Sequence, residues 1–204
     1  MGVSLDLNAP VQVYTCGDVP FDKKEILRYM RCREATNEVT ALLDESVEDL
    51  RQVVRMRAAW RTFPVSVEGD RVDLSFTCVK SRDLAKNLAA CDRAVIFAAT
   101  VGLDVDRAIA RAALTSPARA LCYDAIGAER IEALCDCLNR EITASAGDTR
   151  PRFSPGYGDL PLDLQRDIFA ALDCPRTIGL SLSESLLMTP QKSVTAIVGI
   201  QSKQ

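Results

Sequence analysis

The sequence predicts an α+β protein: a central twisted, mainly antiparallel sheet flanked by helices, with an N-terminal helical hairpin. Three observations carry that expectation. Helical and strand-like patterns alternate too irregularly for a doubly wound parallel sheet. The stretch TFPVSVEGDRVDLSF alternates apolar and polar residues on both sides of Glu68-Gly69-Asp70, the signal of two strands joined by a turn. The run AVIFAATVG is short enough to be a buried strand.

Taken in order, residues 1–20 show no element and read as an N-terminal extension. The main unit is 21–204, and its first part, 21–59, is the helical hairpin. FDKKEILRYMRC carries apolar residues at 26, 27, 29 and 30. After a break at Thr36 and Asn37, a longer helical pattern runs through Leu42, Leu43, Val47, Leu50, Val53 and Val54. The strand pair follows. SRDLAKNLAAC then opens on an N-capping Ser81 and repeats Leu84 and Leu88 at helical spacing. Beyond the buried strand, Gly102 and Asp104 turn the chain into a helix over DVDRAIARAALTS, with Asp104 as its N-cap. Pro117 begins a fresh helical stretch, and Ala118 to about Ile142 is long enough for two helices bent near Gly127. LDLQRDIFAAL reads as a short helix, and RTIGLSLS and KSVTAIVGI as strands.

Composition narrows the function. With 204 residues, 48% hydrophobic and a formal charge of -3, the chain has the make-up of a soluble globular protein and no basic field for nucleic acid. MGVSLDLNAP lacks the charged and apolar regions of a secretory signal, and Asp6 stands where a myristoylation signal wants Ser or Thr. The longest apolar run, Ala94 to Leu103, is about half a membrane span. A cytoplasmic protein without a membrane segment is expected. The eight cysteines are dispersed with no Cys-x-x-Cys, which suits reduced, core-like thiols. Cys135 and Cys137 lie about 200° apart around a helix and cannot easily grip one ion, so no metal site is expected. There is no histidine at all. That excludes Ser-His-Asp and Cys-His machinery and His-based zinc, and implies that a bound ligand supplies the reactive group.

The stretch from Ser145 to Pro161 stands apart. It holds Gly147, Gly156 and Gly158 with Pro151, Pro155 and Pro161. A loop of that length is more often a ligand loop or a linker than a plain connection, and its prolines favour order. Within it, Arg152 can grip a carboxylate or phosphate with two parallel hydrogen bonds, and Tyr157 can lay its ring on a flat ligand. A salt bridge for Arg152 and a packing role for Tyr157 would use the same side chains.

RFSPGY (152–157) and LSESLLMTPQKS (182–193) occur in the order and at the separation of two signature elements. On them, Arg152 to Ile200 resembles the activation (reactivation) domain of vitamin B12-dependent methionine synthase. KKEILRYM, SRDLAKNLAACDRAVIFAATVGLDVDRAI and DAIGAERIEALCDCLNREI resemble the helix, strand and helix blocks of its stand-alone form. The resemblance implies a domain that binds S-adenosylmethionine beside a corrin and supports reductive methylation of cob(II)alamin, the electron coming from a flavodoxin-like or other low-potential reductant. It further implies roles for single residues. Arg152 would hold the methionine carboxylate, Ser154 would contact the ligand through its main chain, and Gly156 would allow close approach. Tyr157 would be the catalytic residue facing the reactive centre, and Glu132 would pair with the ligand ammonium. Glu184 belongs to the second element, either as a ligand contact or by satisfying backbone groups; Met188 reads as core.

There are departures. Thr189 replaces a typical tryptophan and Ser183 a threonine. Full-length members continue past KSVTAIVGI into a hairpin with paired tyrosines, whereas this chain stops at Gln204, so some nucleotide contacts are expected to be missing. The cobalamin-binding Asp-x-His-x-x-Gly cannot occur without histidine, so the corrinoid is expected on a partner protein. The function this implies is a stand-alone reactivation subunit acting in trans on a cobalamin-dependent methionine synthase or related corrinoid methyltransferase. The alternatives are a docking or corrinoid-chaperone protein that has lost nucleotide binding, and an S-adenosylmethionine sensor. An ordinary adenosylmethionine methyltransferase would want a Gly-rich turn after its first strand, and no G-x-G-x-x-G occurs.

Overall fold

The structure is a computed structural model that describes residues 5–17 and 19–201. In chain order the first half comprises β1 (Gln12–Thr15), α1 (Lys23–Tyr29), α2 (Asn37–Arg51), β2 (Arg57–Pro64), β3 (Ser66–Glu68), β4 (Arg71–Asp73), β5 (Cys78–Lys80), α3 (Arg82–Asn87) and β6 (Cys91–Thr100). The second half comprises α4 (Leu103–Thr115), α5 (Pro117–Ala146), α6 (Leu164–Leu172), α7 (Cys174–Ile178), β7 (Ser181–Leu182), β8 (Met188–Thr189) and β9 (Ser193–Gln201).

The apolar run AVIFAAT lies in β6, one of the two inner strands of a four-stranded antiparallel sheet ordered β1-β2-β6-β9. It is apolar at successive positions because both of its faces are covered. Ala94, Ile96 and Ala98 pack with α3, α6 and α7 residues such as Leu84, Ile168 and Ile178. Val95, Phe97 and Ala99 pack with Leu134, Leu138 and Ile142 of α5. The period-two alternation of a strand thus feeds two cores from one sequence. A third core holds α1 and α2 against α4 and α5 through Ile26, Leu43, Val47, Ala108 and Ile126. Caps set the helix starts: Asp22 accepts from the Lys24 and Glu25 N–H groups, Thr36 from Val39 and Ser81 from Leu84.

The hairpin expected around Gly69 is β3-β4, extended by β5 into a small sheet. Four local expectations are corrected. First, the segment read as an extension contributes β1, an edge strand paired with β2 from Gln12↔Trp60 to Thr15↔Arg57. Second, α5 is one continuous helix, without a break at Gly127. A side chain there would place its Cβ 2.9 Å from Lys192 Cγ, so the glycine admits the lysine stem, whose Nζ reaches Asp124 at 2.8 Å. Third, Gly102 occupies the cap position of α4, while Asp104 sits in the first turn and pairs with Arg107 at 3.0 Å. Fourth, much of RTIGLSLS is not strand. Pro175, pre-set for a first helical turn, carries the chain through α7, and pairing begins only at Ser181.

All eight cysteines are free thiols, and five of them are buried. Burial pushes Cys135 and Cys174 up to about 12. Among the described residues, no group of three or more His, Cys, Asp or Glu is placed to hold a metal, and no helix is long and apolar enough to cross a membrane.

Candidate functional site

The segment after α5 runs along the free edge of β9. Arg150 N–H donates to Gly199 O at 2.8 Å, and Phe153 and Ile197 exchange backbone hydrogen bonds at 2.9 and 2.8 Å. Alternation then separates neighbours. Phe153 packs into the core beneath α6, while Arg152 reaches α5, where its Nη2 lies 3.1 Å from Glu132 and 3.0 Å from Asp136.

The next residues form a tight turn. Tyr157 N–H donates to Ser154 O at 3.2 Å, with Pro155 second and Gly156 third at φ +90°. A type II turn favours proline at the second position and requires positive φ at the third, which glycine adopts without penalty. Gly156 N–H and Leu160 O close the loop at 2.9 Å. Its far side is clamped to α3. The Asp159 carboxylate accepts from Ser81 Oγ and from the Arg82 and Asp83 N–H groups at 2.5, 2.9 and 3.2 Å. Those bonds, led by the Ser81 hydroxyl, hold Asp159 down at about 2.

Between this loop, α5, α6 and β9 lies a cavity of about 490 Å³, within the range of about 300–1,000 Å³ typical of small-molecule sites. Glu132, Arg152, Ser154 and Tyr157 all line it, so side chains from residue 132 to residue 157 converge on one space. Tyr157 stands at the mouth, 69% exposed. Gly156 shapes the turn, and Glu184 lies elsewhere. Glu184 is exposed, in the turn between β7 and β8, where its backbone carbonyl accepts from Arg166. Met188 both lines the cavity and packs on the core below α6.

Three participants have no counterpart in the sequence reading. Asp136 shares Arg152 with Glu132; its signal was the i, i+4 spacing on α5. The start of β9, from Ser193 to Ala196, supplies one wall. Gln165 contributes a buried amide, a polar residue on the otherwise apolar stripe of Ile168, Phe169 and Leu172. Cys135, close to this ion cluster, is no nucleophile: burial outweighs the nearby Arg152 charge and keeps it a thiol at neutral pH.

No family model matches the chain, and no curated protein matches it. Among solved structures it is similar to the crystal structure of the MetH reactivation domain bound to AdoHcy, with a TM-score of 0.68 at 16% sequence identity. The alignment covers 95% of this chain and 80% of that one. At such identity the likeness is one of backbone architecture, and it agrees with the resemblance carried by RFSPGY and LSESLLMTPQKS. In backbone fold, therefore, the chain resembles that reactivation domain.

Proposed function

We propose that the chain binds S-adenosylmethionine in the cavity beside Arg152 and supports reductive methylation of cob(II)alamin on a corrinoid methyltransferase. The observation that carries the reading is the convergence of Arg152, Glu132, Ser154 and Tyr157 on one cavity, within the fold of a domain crystallised with AdoHcy. The residues suit such a ligand. Arg152 holds two carboxylates on Nη2, while its buried Nη1 has no partner and is a donor still unspent that a ligand carboxylate would satisfy. Glu132 offers a carboxylate to an ammonium, and apolar Phe153, Pro155 and Met188 suit a nucleoside.

The ligand, when bound, supplies an electrophilic sulfonium methyl group. The chain's own work is placement, with Tyr157 at the mouth beside the incoming acceptor. These residues contain no histidine, so the corrinoid is carried outside them, and the reductant is a flavodoxin-like or other low-potential donor.

One observation favours a second reading. Arg152 is already neutralised by two acids, as it would be in a docking or corrinoid-chaperone protein without nucleotide.

Calorimetry with S-adenosylmethionine separates the two. The wild type should bind, and Arg152→Ala should lose about 1.5 to 3 kcal/mol, roughly ten- to hundredfold. A silent wild type at millimolar ligand would favour docking. If it binds, addition to a cobalamin-loaded methionine synthase lacking its own reactivation domain, with reductant, should convert the cob(II) absorbance to that of methylcobalamin. No acceleration over the partner alone would refute the reactivation role.

A further inference from the structure

Gln165 is 5% exposed, at the start of α6, and its Oε1 has no hydrogen-bond partner. Its backbone is satisfied, the N–H donating to Leu162 O at 3.0 Å. A buried amide oxygen left unpaired is costly, and native structures retain such groups where a ligand or water completes them. This side chain lines the same cavity as Arg152. Two residues that line the cavity therefore each carry a buried, unpaired polar atom, of opposite polarity: a guanidinium N–H at Arg152 Nη1 and an amide C=O at Gln165.

Resting on the reading that this cavity takes S-adenosylmethionine, we infer that Gln165 is a ligand-binding residue that accepts a hydrogen bond from a neutral donor on the nucleoside half, a ribose hydroxyl or the purine amine. Charge divides the donors. The ligand ammonium gains more from the Glu132 carboxylate than from an amide, while a hydroxyl or aromatic amine is matched by a neutral acceptor at no ionic cost. Sequence spacing would place leucine, isoleucine or phenylalanine at position 165, between the buried neighbours Leu164 and Ile168. An amide there weakens the core unless a ligand or water completes it.

Two ligands and three variants test this. S-adenosylhomocysteine carries both halves, whereas 5′-methylthioadenosine lacks the amino acid. Gln165→Met, close in shape, should weaken both by the same factor, roughly tenfold for one lost hydrogen bond. Arg152→Ala should weaken only S-adenosylhomocysteine. Gln165→Glu retains the oxygen and should restore much of the 5′-methylthioadenosine binding that Gln165→Met loses. Thermal unfolding of Gln165→Met should be unchanged or higher, since an unpaired buried group is removed; a large drop would mark a structural role and overturn the assignment. Unchanged affinity in Gln165→Met, with the wild type binding both ligands, would overturn it while leaving the proposed function intact. Loss confined to S-adenosylhomocysteine would move the donor to the amino-acid half and refute the nucleoside contact, and a wild type that binds neither ligand would sink both readings.

Discussion

Two arginines meet carboxylates of the same helix, α5, and they differ in one respect. Arg130 is 1% exposed and closed on every side. Its Nε and Nη2 donate to Glu129, its Nη1 to Val19 O at 2.6 Å and its Nη2 to Pro20 O at 2.8 Å, and its guanidinium lies 4.0 Å from the centre of the Phe21 ring. Glu129 in turn accepts from Asp22 N–H at 3.2 Å. Arg152 has a side chain 25% exposed, two acids on one nitrogen and nothing on Nη1. The closed cluster binds the chain to itself, fixing the segment before α1 onto α5. The open one borders a cavity with hydrogen-bonding capacity to spare. The same chemical pair is closed in one place and left open in the other, according to which donors remain unspent.

Breaking the closed cluster should have the largest effect. Arg130→Ala strands Glu129 in the interior and should cost about 3 to 5 kcal/mol. Thermal unfolding should then fall by on the order of 10 °C. The double change Glu129→Gln with Arg130→Met should recover much of that, since no unpaired charge remains. Arg152→Ala should move stability by about 1 kcal/mol or less, as for exposed ion pairs. Comparable melting losses for Arg130→Ala and Arg152→Ala would erase the distinction.

A smaller effect, sharpened by pH, is expected where the loop meets α3. Asp159 is held at about 2 against an ordinary 3.8. A depressed carboxyl stabilises the fold fully above its unfolded pKa and loses that contribution as pH falls through the folded one. The melting difference between wild type and Asp159→Asn should therefore be constant above pH about 4 and shrink toward pH about 2. A difference that stays flat across that window would show that the carboxylate charge contributes nothing at the clamp.

How much of this was legible beforehand follows from where each signal resides. The sheet could be read because AVIFAAT and SVTAIVGI are apolar on both faces, and covered strands need no further context. The loop could be read because proline and glycine restrict or free the backbone whatever surrounds them. β1 could not: QVYT is a half-exposed edge strand, and only pairing with β2 orders it. The closed arginine cluster was equally hidden. Glu129 and Arg130 look like a solvated face until the segment from Val19 to Asp22 folds across them. Arg152 is legible in the loop itself and Glu132 through resemblance, yet Asp136 and Gln165 are not, because their places depend on which groups tertiary packing pairs and which it leaves without partners.

The smallest effect is expected at Glu184. The side chain is exposed in the turn joining β7 to β8, outside the set that lines the cavity, and the group it uses in packing is its backbone carbonyl, bonded to Arg166. The turn itself is held by Ser183, whose backbone N–H and Oγ meet Leu187 O and Leu187 N at 2.9 and 3.0 Å. None of these contacts needs the Glu184 carboxylate, so Glu184→Ala should shift stability within about 0.5 kcal/mol and leave S-adenosylmethionine affinity within calorimetric error. A loss approaching that of Arg152→Ala would mean that the turn closes over the ligand and brings the carboxylate to it, and the boundary between the open cluster and its surroundings would have to be redrawn to include β7 and β8.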